Sequence, residues 1–303
     1  MTEPKPYPTA AGVEAAIKEA ARKAFASDAT VSVGEHIRQT HFDRFLCRIF
    51  SEGLDSEWLV KGGTGMLARV PQTRATKDVD LFRAGYDLTE ALDDLTRLAG
   101  IDLGDHFRFV YASHTESVGG EAQPYTEGYR VSFDTYIGVK KAGPVHVDLV
   151  VGAGLTAAVS VLEPANRLDL PRLAGHPYRL YPVVDQIADK VCATMTVYPT
   201  GESTREKDLV DIVVLAVTQD IEATALRTAI FTELRRRRLE PFDRFVLPAG
   251  WGPAYARMAR SVPHCADFAT VDSARTLMKM FIDPVLSDVV GSTTWLHTER
   301  EWQ

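Results

Sequence analysis

Apolar residues along this chain repeat in two rhythms, and the change between them divides the sequence. "AAGVEAAIKEAARKAFA" and "VGEHIRQTHFDRFLCRIFSEG" read as helices. In the second, Ile37, Phe42, Phe45, Leu46 and Ile49 recur at three- and four-residue spacing and Gly53 closes the run. The residues before them, up to Pro8, read as a frayed tail. From Glu57 the period drops to two: "EWLVKG" predicts a short strand, "GTGMLARV" a short helix and "TKDVDLF" a second strand. "DLTEALDDLTRLAG" is helical again, and "FRFVYAS", "GYRVSFDTYIGV" and "PVHVDLVVG" are three further strands. Between the first two of these, "SVGGEAQPYTEG" reads as a turn or mobile loop. Gly152 to Leu180 carries Pro and Gly with weak periodicity and reads as a connection with a short helix. Beyond it helical patterns dominate: "PVVDQIADKVCATMTVY", "REKDLVDIVVLAVTQ", "IEATALRTAIFTELRRRR", "GPAYARMAR" and "VDSARTLMKMFIDPVL". Pro182 and Pro253 fall where a first helical turn tolerates proline. The expected domains are therefore 1–155, an α/β core with N-terminal helices, and 156–303, a connection and a helical region.

One stretch, "VKGGTGMLARVPQTRATKDVDLFRAG", carries candidate chemistry. On a strand, Asp78 and Asp80 share a face, about 6.6 Å apart along the backbone, while Val79 and Leu81 point the other way into the core. Two carboxylates on one face suit a hard divalent cation, which takes carboxylates together with substrate phosphates. Gly62 and Gly63, between a strand and a helix, allow a tight turn and close approach to a ligand, with N–H groups and Thr64 facing phosphate oxygens. The loop is neither GxxxxGK[ST] nor GxGxxG. Taken alone, each motif also reads as an ordinary glycine turn and a solvated strand face.

Taken together, Val60-Lys61-Gly62-Gly63-Thr64 followed by Asp78-Val79-Asp80-Leu81 resembles the nucleotidyltransferase superfamily typified by DNA polymerase β. With the later "REKDLVDIVVL", it looks like the AbiEii/AbiGii group of nucleotidyltransferase toxins, which includes the mycobacterial MenT toxins. The likeness covers most of residues 55–220. It implies an α+β fold: a mixed sheet flanked by helices, followed by an α-helical C-terminal region. It also implies that Lys61, Gly62, Gly63 and Thr64 hold the triphosphate of an NTP. Asp78 and Asp80, with a third acid on a neighbouring strand, would bind Mg²⁺ or Mn²⁺. Strand alternation offers Asp148 in "VHVDLVV" as that acid, with Asp134 in "VSFDTYIG" as its rival.

The second half adds Lys190, set among Ile187, Val191 and Ala193, and Asp208 and Asp211, three apart on one helix face. Acids beside Leu209, Ile212, Val213 and Leu215 need partners, and Lys190, Arg205 and Lys207 are available. A salt bridge tying two helices is one reading; the resemblance assigns Lys190 and Asp211 to the active site, and both can hold. Arg74 and Lys77, ahead of the acids, either grip phosphate or keep the loop soluble; with Arg205 and Asp208 they complete the nucleotide-binding set. Thr76, two residues before Asp78, is a candidate for silencing by an added negative group.

The family's toxins transfer nucleotides from NTPs, in several members to the tRNA 3′ end, so the resemblance implies a tRNA acceptor and a cognate antitoxin protein. Arg235 to Arg238, at a helix end, suit the helix dipole or RNA phosphates. A net charge of −7 argues against a broadly basic RNA-binding surface. A protein hydroxyl or a small molecule remains as alternative acceptor, and a silent nucleotide-binding relative as the third reading. Three scattered cysteines, no secretory signal and no membrane-spanning run predict a cytoplasmic protein with reduced core thiols.

Overall fold

The computed structural model describes residues 5–116, 128–152, 154–197 and 203–303. Most of the expected loop "SVGGEAQPYTEG" lies outside them. The chain packs as two compact units, one of Met1–Pro71, Ala75–Gly154 and Ser160–Leu180, the other of Gln72–Arg74, Leu155–Val159 and Tyr181–Gln303.

The first unit is a mixed sheet flanked by helices. Helix α1 (Ala10–Ser27) starts at Thr9, whose hydroxyl accepts from Gly12 N–H, and α2 (Val33–Ile49) starts at Ser32, which accepts from Glu35 N–H. The strands are β1 (Trp58–Val60), β2 (Val79–Ala84), β3 (Phe107–Thr115), β4 (Gly128–Ile137), β5 (Lys140–Gly152), β6 (Ser160–Leu162) and β7 (Tyr178–Leu180). They lie in the order β3-β4-β5-β2-β1-β7-β6. Helix α3 (Gly62–Arg69) links β1 to β2, and α4 (Leu88–Ala99) follows β2. Val79, Leu81, Val131, Phe133, Val145, Val147 and Leu149 are buried in one core with Phe42, Phe45, Leu46 and Ile49 of α2 and Leu92 and Leu95 of α4. Residues at even positions of β2, β4 and β5 therefore lie on the opposite face.

The β4–β5 hairpin changes register once. Ile137 opposes Lys140 and Tyr136 opposes Lys141, but Thr135 opposes Gly143, so Ala142 is an extra residue in β5. Beyond this bulge the buried odd positions of both strands oppose one another. A second feature fastens α2 to the start of β3: Asp105 accepts from Arg44 Nε at 2.8 Å and from Arg48 at 2.7 and 3.1 Å, all deeply buried. Burial pushes the Asp105 carboxyl upward, but the two guanidinium groups more than offset this and hold it below its ordinary value.

The second unit packs α5 (Val183–Met195) against α6 (Glu206–Thr218) and α7 (Ala223–Arg237). Helices α8 (Gly252–Ala259), α9 (Val271–Phe281) and α10 (Asp283–Leu286) follow, with 3-10 turns at Ala249–Trp251 and Pro263–Phe268.

Three expectations need correction. The segment before Pro8 is docked from Lys5 on: Arg172 donates to Lys5 O and Pro6 O, and His106 Nε2 bonds Tyr7 O at 2.8 Å. Within 154–180 the described residues form no helix but the two short strands β6 and β7, because Leu180 pairs in parallel with Val60 and extends the sheet. The mainly helical region also contains a small sheet, ordered β10-β9-β8, from β8 (Ile221–Glu222), β9 (Thr294–Leu296) and β10 (Glu301–Trp302). It is anchored by fully buried Trp295, whose indole donates to Ala216 O at 2.7 Å.

Candidate active site

β1 hands the chain directly to α3, and β2 receives it. Lys61 N–H donates to Asp80 O at 3.0 Å, continuing the antiparallel β1–β2 pairing. Gly62 then turns with φ +55°, and a Cβ there would overlap the Asp80 carboxylate. The glycine is thus needed for its conformation and for the missing side chain alike. The first turn of α3 faces Asp80: Gly63 N–H donates to Asp80 Oδ2 at 3.1 Å. Asp78 stands just before β2 rather than on it, so strand alternation does not set its direction. Two hydroxyls fix its peptide instead. Thr64 donates to Asp78 O at 2.9 Å, and buried Thr76 donates to the same oxygen at 3.2 Å. A charged group on Thr76 would have to give up that bond and leave its buried setting.

Asp148 pairs in register with Asp80 across the parallel β2–β5 ladder. Its carboxylate is therefore on the same face, one strand spacing (about 4.8 Å) away in the backbone. Arg130 opposes Asp148 from β4. Its guanidinium forks onto that carboxylate, Nε to Oδ1 at 2.8 Å and Nη2 to Oδ2 at 2.9 Å, and Nη2 also reaches Asp78 Oδ2 at 3.4 Å. The bond to Asp148 and the fields of Asp148, Asp78 and Asp80 raise the Arg130 pKa beyond its ordinary value. Asp134 is not in this group: it opposes Pro144, four residues along β4 from Arg130, and pairs with Lys141 at 2.7 Å. Arg130 had not been singled out from sequence; its position opposite Asp148 depends on a strand register that no local motif records.

A second charge cluster lies within the second unit. Lys190 Nζ donates to Asp211 Oδ2 at 2.6 Å and to Asp208 Oδ1 at 3.1 Å, with all three groups buried. Arg74, which packs with this unit, forks onto Asp211 at 2.9 and 2.8 Å, and Arg205 caps Asp208. Burial pulls the Lys190 pKa down, but Asp211 and Asp208 outweigh it and the ammonium is held above its ordinary value. Asp208 is likewise pushed up by burial and pulled further down by Lys190 and Arg205. Lys190, Arg74 and Arg205 bond the two carboxylates and Lys207 lies within their field, so positive charge is in excess. Lys77 is exposed.

The profile of the family "Nucleotidyl transferase AbiEii toxin, Type IV TA system" matches residues 44–275, most of the chain and both clusters. The chain belongs to the AbiEii nucleotidyltransferase toxin family. Family membership brings a nucleotide substrate and an antitoxin partner with it. In fold this AbiEii-family chain is similar to MenT4, a nucleotidyltransferase toxin from Mycobacterium tuberculosis H37Rv, with a TM-score of 0.52 at 14% identity over 90% of this chain and 98% of that one. It also shows some likeness to JHP933 from Helicobacter pylori, with a TM-score of 0.39 at 14% identity over 68% of this chain and 74% of that one, too little to support any conclusion. No curated protein sequence matches the chain.

For this AbiEii-family chain the donor chemistry suits a hard divalent cation: Asp78, Asp80 and Asp148 offer only carboxylate oxygens. In their present arrangement no three His, Cys, Asp or Glu groups among the described residues are close enough to hold an ion. The positive charge beside Asp148 and Asp78 is the Arg130 guanidinium. Of the four consecutive arginines, Arg237 is buried against Glu233 and Asp189, and only Arg235 and Arg238 are exposed. No helix among the described residues is long and apolar enough to cross a membrane.

Proposed function

We propose that this toxin transfers a nucleotide from an NTP to an RNA acceptor, the tRNA 3′ end, and blocks translation. The observation that carries the reading is the register of Asp80 against Asp148, with Asp78 and the Gly62-Gly63 turn beside them. Mg²⁺ or Mn²⁺, held by Asp78, Asp80 and Asp148, would neutralise charge on the phosphates and on the leaving pyrophosphate. Lys61, Gly62, Gly63 and Thr64, at the N-terminal turn of α3, bind the triphosphate at the positive end of the helix, the Lys61 N–H staying in the β1–β2 pairing. The acceptor hydroxyl attacks the α-phosphorus; the new P–O bond forms as the bridging P–O bond to the β-phosphate breaks and pyrophosphate departs. The hydroxyl proton passes to a carboxylate, for which we propose Asp148. The roles of Lys190, Asp208, Asp211, Arg74, Arg205 and Lys77 in handling phosphate rest on the family resemblance. The excess positive charge of the network around Lys190 supports them.

The test is incubation of the protein with Mg²⁺, each of four labelled NTPs in turn, and total tRNA, beside Asp80→Ala. Label on tRNA with the unsubstituted protein, reduced about 10³-fold or more by the substitution, is expected. Label on protein instead would move the acceptor to a protein hydroxyl. Absence of transfer to RNA, protein or small molecules would overturn the proposal.

A further inference from the structure

We propose that Arg130 is a displaceable counter-ion of the three-acid cluster, giving up its carboxylates when a divalent cation binds. The inference rests on the metal-binding reading above. The same protein shows what a permanent Arg–Asp junction looks like: Arg44, Arg48 and Asp105 are 2%, 0% and 3% exposed and have several partners each. Arg130 differs. Its side chain is 49% exposed, and its partners Asp148 and Asp78 are 13% and 33% exposed. Its two-pronged bond to Asp148 is well formed, but its reach to Asp78 is only 3.4 Å, at the limit of a hydrogen bond. Pairs as open as this hold weakly, because water competes for both charges. Yet the cluster needs a cation: three neighbouring carboxylates repel one another when none is near. A guanidinium on a long, half-solvated stem supplies that charge and can swing away. A small divalent cation carries twice its charge and binds carboxylate oxygens directly, so the two compete for the same atoms.

The experiment is a Mn²⁺ titration without nucleotide, reading free Mn²⁺ by electron paramagnetic resonance, on the full chain and on Arg130→Gln. Arg130→Gln is expected to bind Mn²⁺ about three- to tenfold more tightly, since it removes a competitor of exposed-pair strength. Unchanged or weaker binding would overturn the inference. Arg130→Lys keeps the charge but loses the fork, and serves where Arg130→Gln fails to fold by circular dichroism. It should bind about two- to threefold more tightly, and an unchanged affinity again counts against displacement. The unsubstituted protein and Asp148→Asn separate the two readings: if no saturable Mn²⁺ site exists, or if Asp148→Asn leaves it intact, the three-acid site itself is wrong and the inference falls with it.

Discussion

Gly62 gives the sharpest test of how the site is built, because the chain contains its own control. Gly62 and Gly53 both adopt left-handed backbone, at φ +55° and +65°. Alanine at either position pays for that conformation, about 1–2 kcal/mol. At Gly53 a Cβ would meet nothing within 4 Å, whereas at Gly62 it would overlap the Cβ, Cγ and Oδ2 of Asp80. Asp80 must then move and release Gly63 N–H, a bond to a charged acceptor worth about 1.5–3 kcal/mol. Gly62→Ala should therefore cost about 2.5–5 kcal/mol and Gly53→Ala about 1–2. Peptide-resolved hydrogen exchange over residues 58–84, alongside urea unfolding, reads both. Substituting Asp80→Gly removes the three atoms nearest that Cβ, and on that background Gly62→Ala should cost little beyond its backbone share. Equal losses for Gly53→Ala and Gly62→Ala, or an undiminished loss in the double variant, would refute the overlap as the cause.

Two further outcomes follow from buried charge. Lys190→Met leaves Asp208 and Asp211 buried with Arg205 and Arg74 as their hydrogen-bonded cations. It should destabilise by about 3 kcal/mol, the low end for breaking a buried pair, and adding Asp211→Asn should recover part of the loss; a cost under about 1 kcal/mol in urea unfolding would show that the arginines suffice. His41, packed edge-on to Phe107, has its imidazole pKa pulled to about 4 by burial. A lowered folded value means the unfolded chain takes the proton first, so the stability His41 contributes is complete above pH about 6.5 and is lost as pH falls toward about 4. Because the ring is partly exposed, the expected loss is about 2 kcal/mol, and His41→Phe should flatten that limb of the stability–pH curve. An identical slope in the variant would assign the acid sensitivity to other groups.

What the sequence reveals and hides here has physical causes. Long elements with a clear period, such as α2 and β4, are written in their own residues. β6 and β7 are three residues each, too short for a period, and exist because Val60 offers Leu180 a partner. The Asp78-Val79-Asp80 spacing is plain in the sequence, but only Asp80 takes its direction from the strand, because β2 begins at Val79. What sets Asp148 apart from its rival Asp134 is a matter of register, which no local spacing records: Asp80 faces Asp148, and Asp134 faces Pro144. Arg130 sits in an unremarkable alternation, "GYRVSFDTY", where a polar residue between buried ones announces only a sheet surface. The Lys190 network was anticipated as a choice of partners. Arg74 was missed as one of them, since 137 residues separate it from Asp211.

The extra residue at Ala142 has a consequence beyond its bend. Two strands of alternating sequence can be matched in only two phases, and this one residue selects between them. Were Ala142 paired with Thr135 in an unbroken ladder instead of bulging out, Arg130 would oppose Val147 and the apolar positions of β4 would meet the polar positions of β5. The hairpin behaves like a message with one punctuation mark. Lose it, and each residue beyond is intact while every pairing is misread. Ala142 need not touch a substrate for the charge pattern of this toxin to depend on it.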